Sequence, residues 1–275
     1  MVYRLIFSAV LVFSSVFMLA IPAEAEASGS LWQNLVDFAK GRLVEEKKII
    51  IENGGKNDDQ SESIGEKRKE DKNKKDIPED DISVEEIEKQ AEFASSATGV
   101  RKDFLMGMLV VESALGQNTG KCTYQEVEEG AKKAHEEGRL SKKAWNTFQE
   151  RKKTIQDLAE KLDYDYEKLK VSCNPSYAGT GGAMGVGQFM PDTWLEYEDR
   201  IAEIVDNDNP DPWSVRDGTV AMALKVSDVP GVREHNTSAE MVASKMYLSG
   251  TTSSQYNWYA NEIQYWSRNY QKLIG

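Results

Sequence analysis

The chain has 275 residues, 40% of them hydrophobic and 29% charged, and its formal net charge at pH 7 is -12. This composition excludes a collagen-like or wholly disordered chain and allows one ordinary domain with appendages. The acidic balance argues against nucleic acid as a partner, because phosphate binding depends on clustered Lys and Arg. Two cysteines and two histidines are too few for a Cys/His zinc site, so we expect neither a metal nor another cofactor.

The first 25 residues have the pattern of an export signal. Arg4 precedes an apolar run over residues 5–21, and Ala23 and Ala25 are placed as the A-x-A of a signal-peptidase site. Residues 1–25 are therefore predicted to be a signal peptide, which puts the protein in the periplasm, the cell envelope or the extracellular space. The alternative is an uncleaved membrane anchor, because the run is just long enough to span a bilayer core of about 30 Å.

Export also bears on the two cysteines, Cys122 and Cys173. Thiol pairs usually oxidise outside the cytoplasm, so we expect one disulfide between them. The alternative is a pair of buried free thiols.

Residues 26–82 are predicted to form an N-terminal helix followed by a charged, disordered linker. Leu31, Leu35, Phe38 and Leu43 have helix-like spacing. Residues 52–81 are mostly Lys, Glu, Asp, Asn, Ser and Gly, which bury too little apolar surface to offset the entropy of ordering.

Residues 83–275 are predicted to form an all-α domain. Ser83 and Glu86 have the spacing of a capping box, which predicts a helix start at that point. Alternating apolar patterns are missing, so little sheet is expected. The further predicted helices cover residues 102–115, 124–137, 141–162, 164–171, 192–204, 214–226, 237–248 and 255–274.

Glu112 directly follows the most apolar stretch of the predicted domain. Residues 104–111, FLMGMLVV, are apolar around almost the full circumference of a helix, which is typical of a buried helix. Burial there should raise the pKa of Glu112, as suits a group that donates a proton near neutral pH. The alternatives are a glutamate whose helix has just reached the surface, or one paired with a buried cation.

Residues 179–187 contain five glycines, and Gln188 and Phe189 follow them. So many glycines allow a ligand to approach the main chain closely. The block lacks the Gly-Lys-Ser/Thr ending and the spacing of a phosphate loop, so an uncharged ligand with hydroxyls and amides, such as an N-acetylated sugar, fits it better. A tight turn between helices is the other interpretation.

Three blocks together resemble the lytic murein transglycosylases. They are VES at residues 111–113, GAMGVGQFMPDTW at residues 182–194 and DPWSVRDG at residues 211–218. The long helical insertion between the first two blocks is most similar to the membrane-bound lytic transglycosylase B branch. The resemblance spans residues 83–275 and implies a lysozyme-like helical domain with a cleft for the glycan strands of peptidoglycan.

The resemblance also implies roles for individual residues. Glu112 matches the single catalytic acid/base, and Gly185 and Gln188 match residues that line sugar subsites. Tyr247 matches a tyrosine that the family often follows with asparagine, where this chain has Leu248. With two aromatic residues near the C-terminus that can stack on sugars, the expected substrate-binding residues are Ser113, Met184, Gly185, Gln188, Phe189, Tyr247, Tyr256 and Tyr259.

Some relatives bind calcium in an EF-hand-like loop. Residues 206–211, DNDNPD, have carboxylates at the first and third positions but lack the glycine at the sixth. No metal site is therefore expected there.

The expected reaction follows from the number of carboxylates. Ordinary glycosidases use two, whereas the glycine-rich block is followed only by Asp192. The resemblance implies that Glu112 cleaves the bond between N-acetylmuramic acid and N-acetylglucosamine and forms a 1,6-anhydro ring. A lysozyme-type hydrolase remains open, with Asp192, Asp206 or Asp208 activating water, as does a non-catalytic glycan-binding module.

Overall fold

The computed structural model describes residues 82–174 and 181–274. The predicted signal peptide and nearly all of the predicted N-terminal helix and linker lie outside the described residues. No helix within the described ranges is both long and apolar enough to cross a membrane.

The described residues are mainly helical, as predicted. Two short strands pair antiparallel, with Cys122 opposite Val171 and Thr123 opposite Lys170. Short 3-10 helices cover Tyr166–Lys168 and Ser254–Tyr256. The strands are β1 (Cys122–Thr123) and β2 (Lys170–Val171), and the helices are α1 (Val84–Thr98), α2 (Lys102–Ser113), α3 (Tyr124–Glu136), α4 (Lys142–Leu162), α5 (Pro191–Leu195), α6 (Glu198–Val205), α7 (Val215–Ser227), α8 (Thr237–Ser249), α9 (Asn257–Asn269) and α10 (Gln271–Ile274).

Three predicted helices differ from the structure. The helix predicted over residues 164–171 is wrong, because α4 ends at Asp163 in the left-handed conformation and the following residues form a 3-10 turn and strand β2. The helix predicted over residues 192–204 is divided into α5 and α6, with a break at Glu196 and Tyr197. These two differences reflect tertiary pairing: β2 needs β1 as its partner, and the Tyr197 ring meets Phe189 edge-on at the break. The helix predicted over residues 255–274 is divided into the second 3-10 helix, α9 and α10, with a break at Tyr270.

The predicted capping box at Ser83 is half formed. Ser83 Oγ accepts from the Glu86 amide at 3.1 Å, whereas the Glu86 carboxylate accepts from the side chain of Gln90 at 2.6 Å. A complete capping box lies instead at the start of α3, between Thr123 and Glu126. Both caps satisfy backbone N–H groups that have no partner within the helix.

Helix α2 runs through the centre of the core. Its residues from Phe104 to Leu109 are buried, and it packs against α9, while α1 packs against α7. Gly107 makes the contact with α9 possible, because a Cβ atom there would lie 2.6 Å from the Ile263 carbonyl oxygen and 2.7 Å from the Ser267 nitrogen. The α2–α9 contact brings the end of α2 to the side chains of α9.

A buried ion pair connects the same helices at the other end. Glu240 of α8 has no exposed surface and accepts from Arg101 Nε at 2.5 Å and from Arg101 Nη2 at 2.8 Å. Gln264 of α9 donates to the same carboxylate at 2.7 Å. Because the charges are paired and hydrogen-bonded, the group is tolerated in the core and fixes the positions of α8 and α9 relative to α2.

Candidate active site

Glu112 lies in the last turn of α2, where the chain leaves the core. The helix ends because Ala114 and Leu115 take left-handed backbone angles, with φ of 50° and 57°. The side chain of Glu112 is half-buried and forms part of the wall of a cleft. The apolar, buried helix α2 therefore places one carboxyl group, that of Glu112, in the wall of a cavity.

A single side chain of α9 orients this carboxyl group. Tyr259 is 3% exposed, and its hydroxyl donates a hydrogen bond to Glu112 Oε1. Burial raises the pKa of Glu112 from 4.5 to about 7, while the Tyr259 hydrogen bond and the positive charge of Lys225 oppose the increase. The pKa of Glu112 is thus raised by burial, as expected from the sequence. The group can therefore release and take up a proton near neutral pH.

Residues 184–189, at the end of the glycine-rich block, fold into a turn closed by backbone hydrogen bonds. The Met184 amide donates to the Phe189 carbonyl at 2.9 Å, and the Phe189 amide donates back at 3.2 Å. Gly185 has a φ of 59°, and a Cβ atom there would lie 1.9 Å from the Pro212 carbonyl oxygen. Only glycine fits at this position, because the turn presses directly against the 211–218 block.

The same turn holds Gln188 at the cleft. The side-chain nitrogen of Gln188 donates to the Gly185 carbonyl at 2.8 Å and to the Thr119 carbonyl at 3.1 Å. Because both protons of the amide nitrogen are used, the amide oxygen is the group that Gln188 can offer to a ligand in the cleft.

The cleft has a volume of about 990 Å³ and combines apolar walls with a few charges. Such a volume is typical of a ligand-binding site. Phe189, Met246, Tyr247 and Leu248 supply apolar surface. The charged residues in its wall are Glu112, Arg151, Glu196, Lys225 and Asp228.

Phe189, Tyr197 and Tyr247 form the aromatic part of the wall. The rings of Phe189 and Tyr247 meet edge-on with centroids 5.7 Å apart, and the Tyr247 hydroxyl donates to the Gly187 carbonyl at 2.5 Å. Burial holds the pKa of Tyr247 well above its usual value, so its hydroxyl stays a donor. The contact ties α8 to the glycine-rich turn across the cleft.

The structure brings four of the predicted site residues into the cleft wall: Glu112, Gln188, Phe189 and Tyr247. Other predicted residues support the wall from behind. Met184 is 1% exposed, Gly185 makes the turn, and Tyr259 contacts Glu112.

Two predicted substrate-binding residues lie elsewhere. Ser113 is fully buried, and its hydroxyl donates to the Leu109 carbonyl and accepts from the Gly116 amide, so it ends α2 and does not line the cleft. Tyr256 lies in the second 3-10 helix and is not part of the cleft wall. Ser113 shows that a neighbour of a site residue on a helix need not face the cavity, and Tyr256 that an aromatic residue able to stack on sugars need not line it.

The predicted disulfide between Cys122 and Cys173 is confirmed, with Cα atoms 5.1 Å apart. It joins β1 to the segment that follows β2, and Cys173 also lies in the cleft wall beside Ser172. The next residue, Asn174, holds Gly181 of the wall in place: its side chain accepts from the Gly181 amide at 2.5 Å and donates to the Val127 carbonyl at 2.7 Å. The disulfide therefore fixes one side of the cleft.

Several polar groups of the acidic loop at residues 206–211 are hydrogen-bonded to other protein groups. Asp211 accepts from the Tyr164 hydroxyl at 2.6 Å and from the Trp213 amide at 2.8 Å, and Asn207 bonds to Asn209. Within residues 82–174 and 181–274, no three His, Cys, Asp or Glu side chains are grouped to hold a metal ion.

The aspartates considered for a second catalytic group do not line the cleft. Asp192 is bound to Arg151 through two hydrogen bonds of 2.9 and 3.0 Å, and Asp206 and Asp208 are exposed outside the cleft wall. Two other carboxylates do lie in the wall. Asp228 is paired with Arg200 through two bonds of 2.9 Å, whereas Glu196 is exposed.

Sequence reasoning missed Lys225, Arg151 and Glu196 as cleft residues. Lys225 had a signal, because it is a lone cation within the apolar stretch AMALKV of α7. Arg151 and Glu196 had none, since each stands among other charged and polar residues that resemble a solvated helix face.

Comparison with known proteins points to one family. The sequence pattern described as "Transglycosylase SLT domain" matches residues 33–224, which include Glu112 and Gln188. A search of curated proteins found no match to the chain.

Among solved structures, the chain is similar to two of the Escherichia coli lytic transglycosylase Slt35, one in complex with bulgecin A and one in complex with calcium. Each is 21% identical with a TM-score of 0.40, and the similarity covers 53% of this chain. It covers only 41% and 42% of those chains, less than half of their length.

Proposed function

The chain belongs to the transglycosylase SLT domain family, and from that premise we propose that it is a peptidoglycan lytic transglycosylase with Glu112 as its single acid/base. One observation carries the proposal: a carboxyl group with a pKa of about 7 forms part of the wall of a cleft of about 990 Å³. The proposed site of action is the cell envelope, where glycan strands are the substrate.

The position of Glu112 argues against a binding module that has lost catalysis. Such a module would be favoured by an exposed, ion-paired Glu112. In the structure the side chain is half-buried and bonded to the neutral hydroxyl of Tyr259, and burial favours its protonated form. A binding module has no use for a carboxyl group kept neutral at such an energetic cost.

In the first step the neutral Glu112 carboxyl gives its proton to the glycosidic oxygen between N-acetylmuramic acid and N-acetylglucosamine. The bond between that oxygen and C1 of the muramyl ring breaks, and the N-acetylglucosamine end leaves with a hydroxyl group. The muramyl acetamido group can stabilise the positive charge at C1. The Gln188 amide oxygen and the Phe189 and Tyr247 rings line the cleft in which this sugar would be held.

In the second step the Glu112 carboxylate takes the proton of the muramyl C6 hydroxyl. The C6 oxygen attacks C1 and closes the 1,6-anhydro ring, so the proton returns to Glu112 and no water is consumed. A pKa near 7 suits a group that must act first as an acid and then as a base.

Mass spectrometry of products released from purified peptidoglycan tests the proposal. The wild type should release anhydro-muramyl products, and Glu112→Gln should release none, because the amide keeps the shape but cannot transfer the proton. Glu196→Gln is the matched comparison, since it removes another carboxylate from the same cleft wall. It should leave anhydro products intact.

Products one water heavier, with reducing ends, would contradict the proposal and identify a hydrolase. Loss of those products in Glu196→Gln would then name Glu196 as the residue that activates water. No release by the wild type would favour the binding module.

A further inference from the structure

Lys225 is a half-buried cation in the cleft wall. It lies in α7 between Leu224 and Val226, which are 5% and 1% exposed. Its nitrogen lies 4.5 Å from the centroid of the Tyr247 ring and 5.5 Å from that of Phe189. The two rings hold the ammonium group in place from the aromatic side of the wall.

Among the residues that the structure describes, Lys225 uses little of its hydrogen-bonding capacity. Its nitrogen donates to the Tyr247 carbonyl at 3.4 Å, a long bond, and an ammonium group has three protons to donate. Within the described ranges no carboxylate forms an ion pair with it, although Glu112, Glu196 and Asp192 act on it from a distance.

The other charges of the cleft wall are differently placed. Arg151 is neutralised by Asp192, and Asp228 by Arg200, each through two hydrogen bonds. The half-buried Glu112 is bonded to Tyr259 and its neutral form is favoured by burial, while Glu196 is exposed. A half-buried ammonium group with free donors in such a wall is arranged to bind an anion, because charge-assisted hydrogen bonds are strongest where water is excluded.

We propose that Lys225 is a specificity residue that binds a carboxylate of the glycan substrate during cleavage. This inference rests on the proposed function, because it concerns the substrate of the same cleft. Two parts of peptidoglycan supply the group. The lactyl side chain of muramic acid ends in a carboxylate where no stem peptide is attached, and stem peptides carry carboxylates of their own.

The burial of Lys225 supports this assignment. Burial lowers the pKa of its amine, whereas the negative charges of Glu196, Glu112 and Asp192 raise it. A bound substrate carboxylate would add a closer negative charge and favour the ammonium form further. Within the described ranges the ammonium group of Lys225 has no carboxylate paired with it, and a substrate carboxylate would supply that partner.

The test uses the full chain and four substrates from one peptidoglycan preparation. Two are glycan strands stripped of stem peptides, with lactyl carboxylates either free or converted to methylamides. The other two are peptide-bearing strands with stem carboxylates free or methylamidated. The variants are Lys225→Met, which keeps an unbranched apolar side chain, Lys225→Arg, which keeps the charge, and Lys89→Met, which removes an exposed lysine of α1.

The wild type and Lys89→Met should cleave the free-carboxylate form of one strand type about tenfold or more faster, by kcat/KM, than its methylamide, as expected for a hydrogen bond to a charged group. Lys225→Met should lose this preference, and Lys225→Arg should keep most of it. A preference confined to stripped strands identifies the lactyl carboxylate, and one confined to peptide-bearing strands identifies the stem.

An equal decrease on all four substrates in Lys225→Met would overturn the inference and show that Lys225 acts on Glu112 or on the fold. Calorimetric binding of the four substrates to Glu112→Gln, with and without Lys225→Met, separates the two proposals. A carboxylate preference in binding supports the role of Lys225 even if the wild type cleaves nothing. Equal affinity for free and amidated strands of both types overturns it even if cleavage occurs.

Discussion

Tyr259 of α9 donates the hydrogen bond that orients Glu112 of α2, although 147 residues separate the two in the chain. Burial raises the pKa of Glu112, and the phenol lowers it by stabilising the carboxylate. The balance leaves the carboxyl group titrating at about 7. Tyr259 is thus a positioning residue, because it reaches the substrate only through Glu112.

Replacing Tyr259 with phenylalanine should raise the pKa of Glu112, because the variant loses the donor and keeps the burial. If the first step needs the neutral acid, the alkaline limb of the pH–rate profile should move to higher pH and kcat should fall. Product release measured across the pH range checks this. Tyr256→Phe, outside the cleft wall, should leave the profile unchanged, and an unmoved limb in Tyr259→Phe would contradict the assignment.

The stability of the protein should also depend on Glu112. Its pKa is raised on folding from 4.5 to about 7, so its favourable contribution is complete below pH 4.5 and is lost as the pH rises through 7. Glu112→Gln does not titrate. Its free energy of unfolding should therefore improve relative to wild type by on the order of 2–3 kcal/mol between pH 4.5 and 8.

Urea unfolding of both proteins at the two pH values measures this difference. Glu196→Gln, which removes an exposed carboxylate, should show a much smaller change. A difference between Glu112→Gln and wild type that does not vary with pH would mean that Glu112 is not held neutral by burial.

Gly107→Ala should destabilise the domain by about 1–3 kcal/mol, because its methyl group would overlap the backbone of α9. The helices must separate to admit it, which should also weaken the Tyr259 contact with Glu112. Thermal unfolding and the pH–rate profile report the two effects. Asn261→Ala, at an exposed position of α9, is the control, and a fully stable Gly107→Ala would show that the two helices can move apart freely.

Removing the disulfide should lower stability by about 4 kcal/mol in the chain-entropy model, since the cysteines are 51 residues apart. The double variant Cys122→Ser, Cys173→Ser should unfold at lower urea concentration than the wild type. It should also have a higher KM, because Cys173 belongs to the cleft wall. A reducing agent should affect the wild type and leave the double variant unchanged. Equal urea midpoints for both proteins would contradict a stabilising role.

Local patterns in the sequence predicted a good part of this molecule. The apolar run before Glu112 predicted a buried helix, and the glycine-rich block predicted a close backbone approach, which Gly185 makes against Pro212. The same kind of reasoning wrongly predicted a helix over residues 164–171. Their helical pattern is real, but β2 forms because β1 is available to pair with it.

The sequence by itself determined the helical class, the dry surroundings of Glu112 and the tight turn that carries Gln188. Each depends on residues that are neighbours in the chain, where periodicity and composition are visible. Only the tertiary structure decided that Tyr259 contacts Glu112, that Lys225 enters the cleft and that Ser113 does not. Those outcomes depend on how closely distant helices pack, as at Gly107, and on which face each helix turns to the cavity.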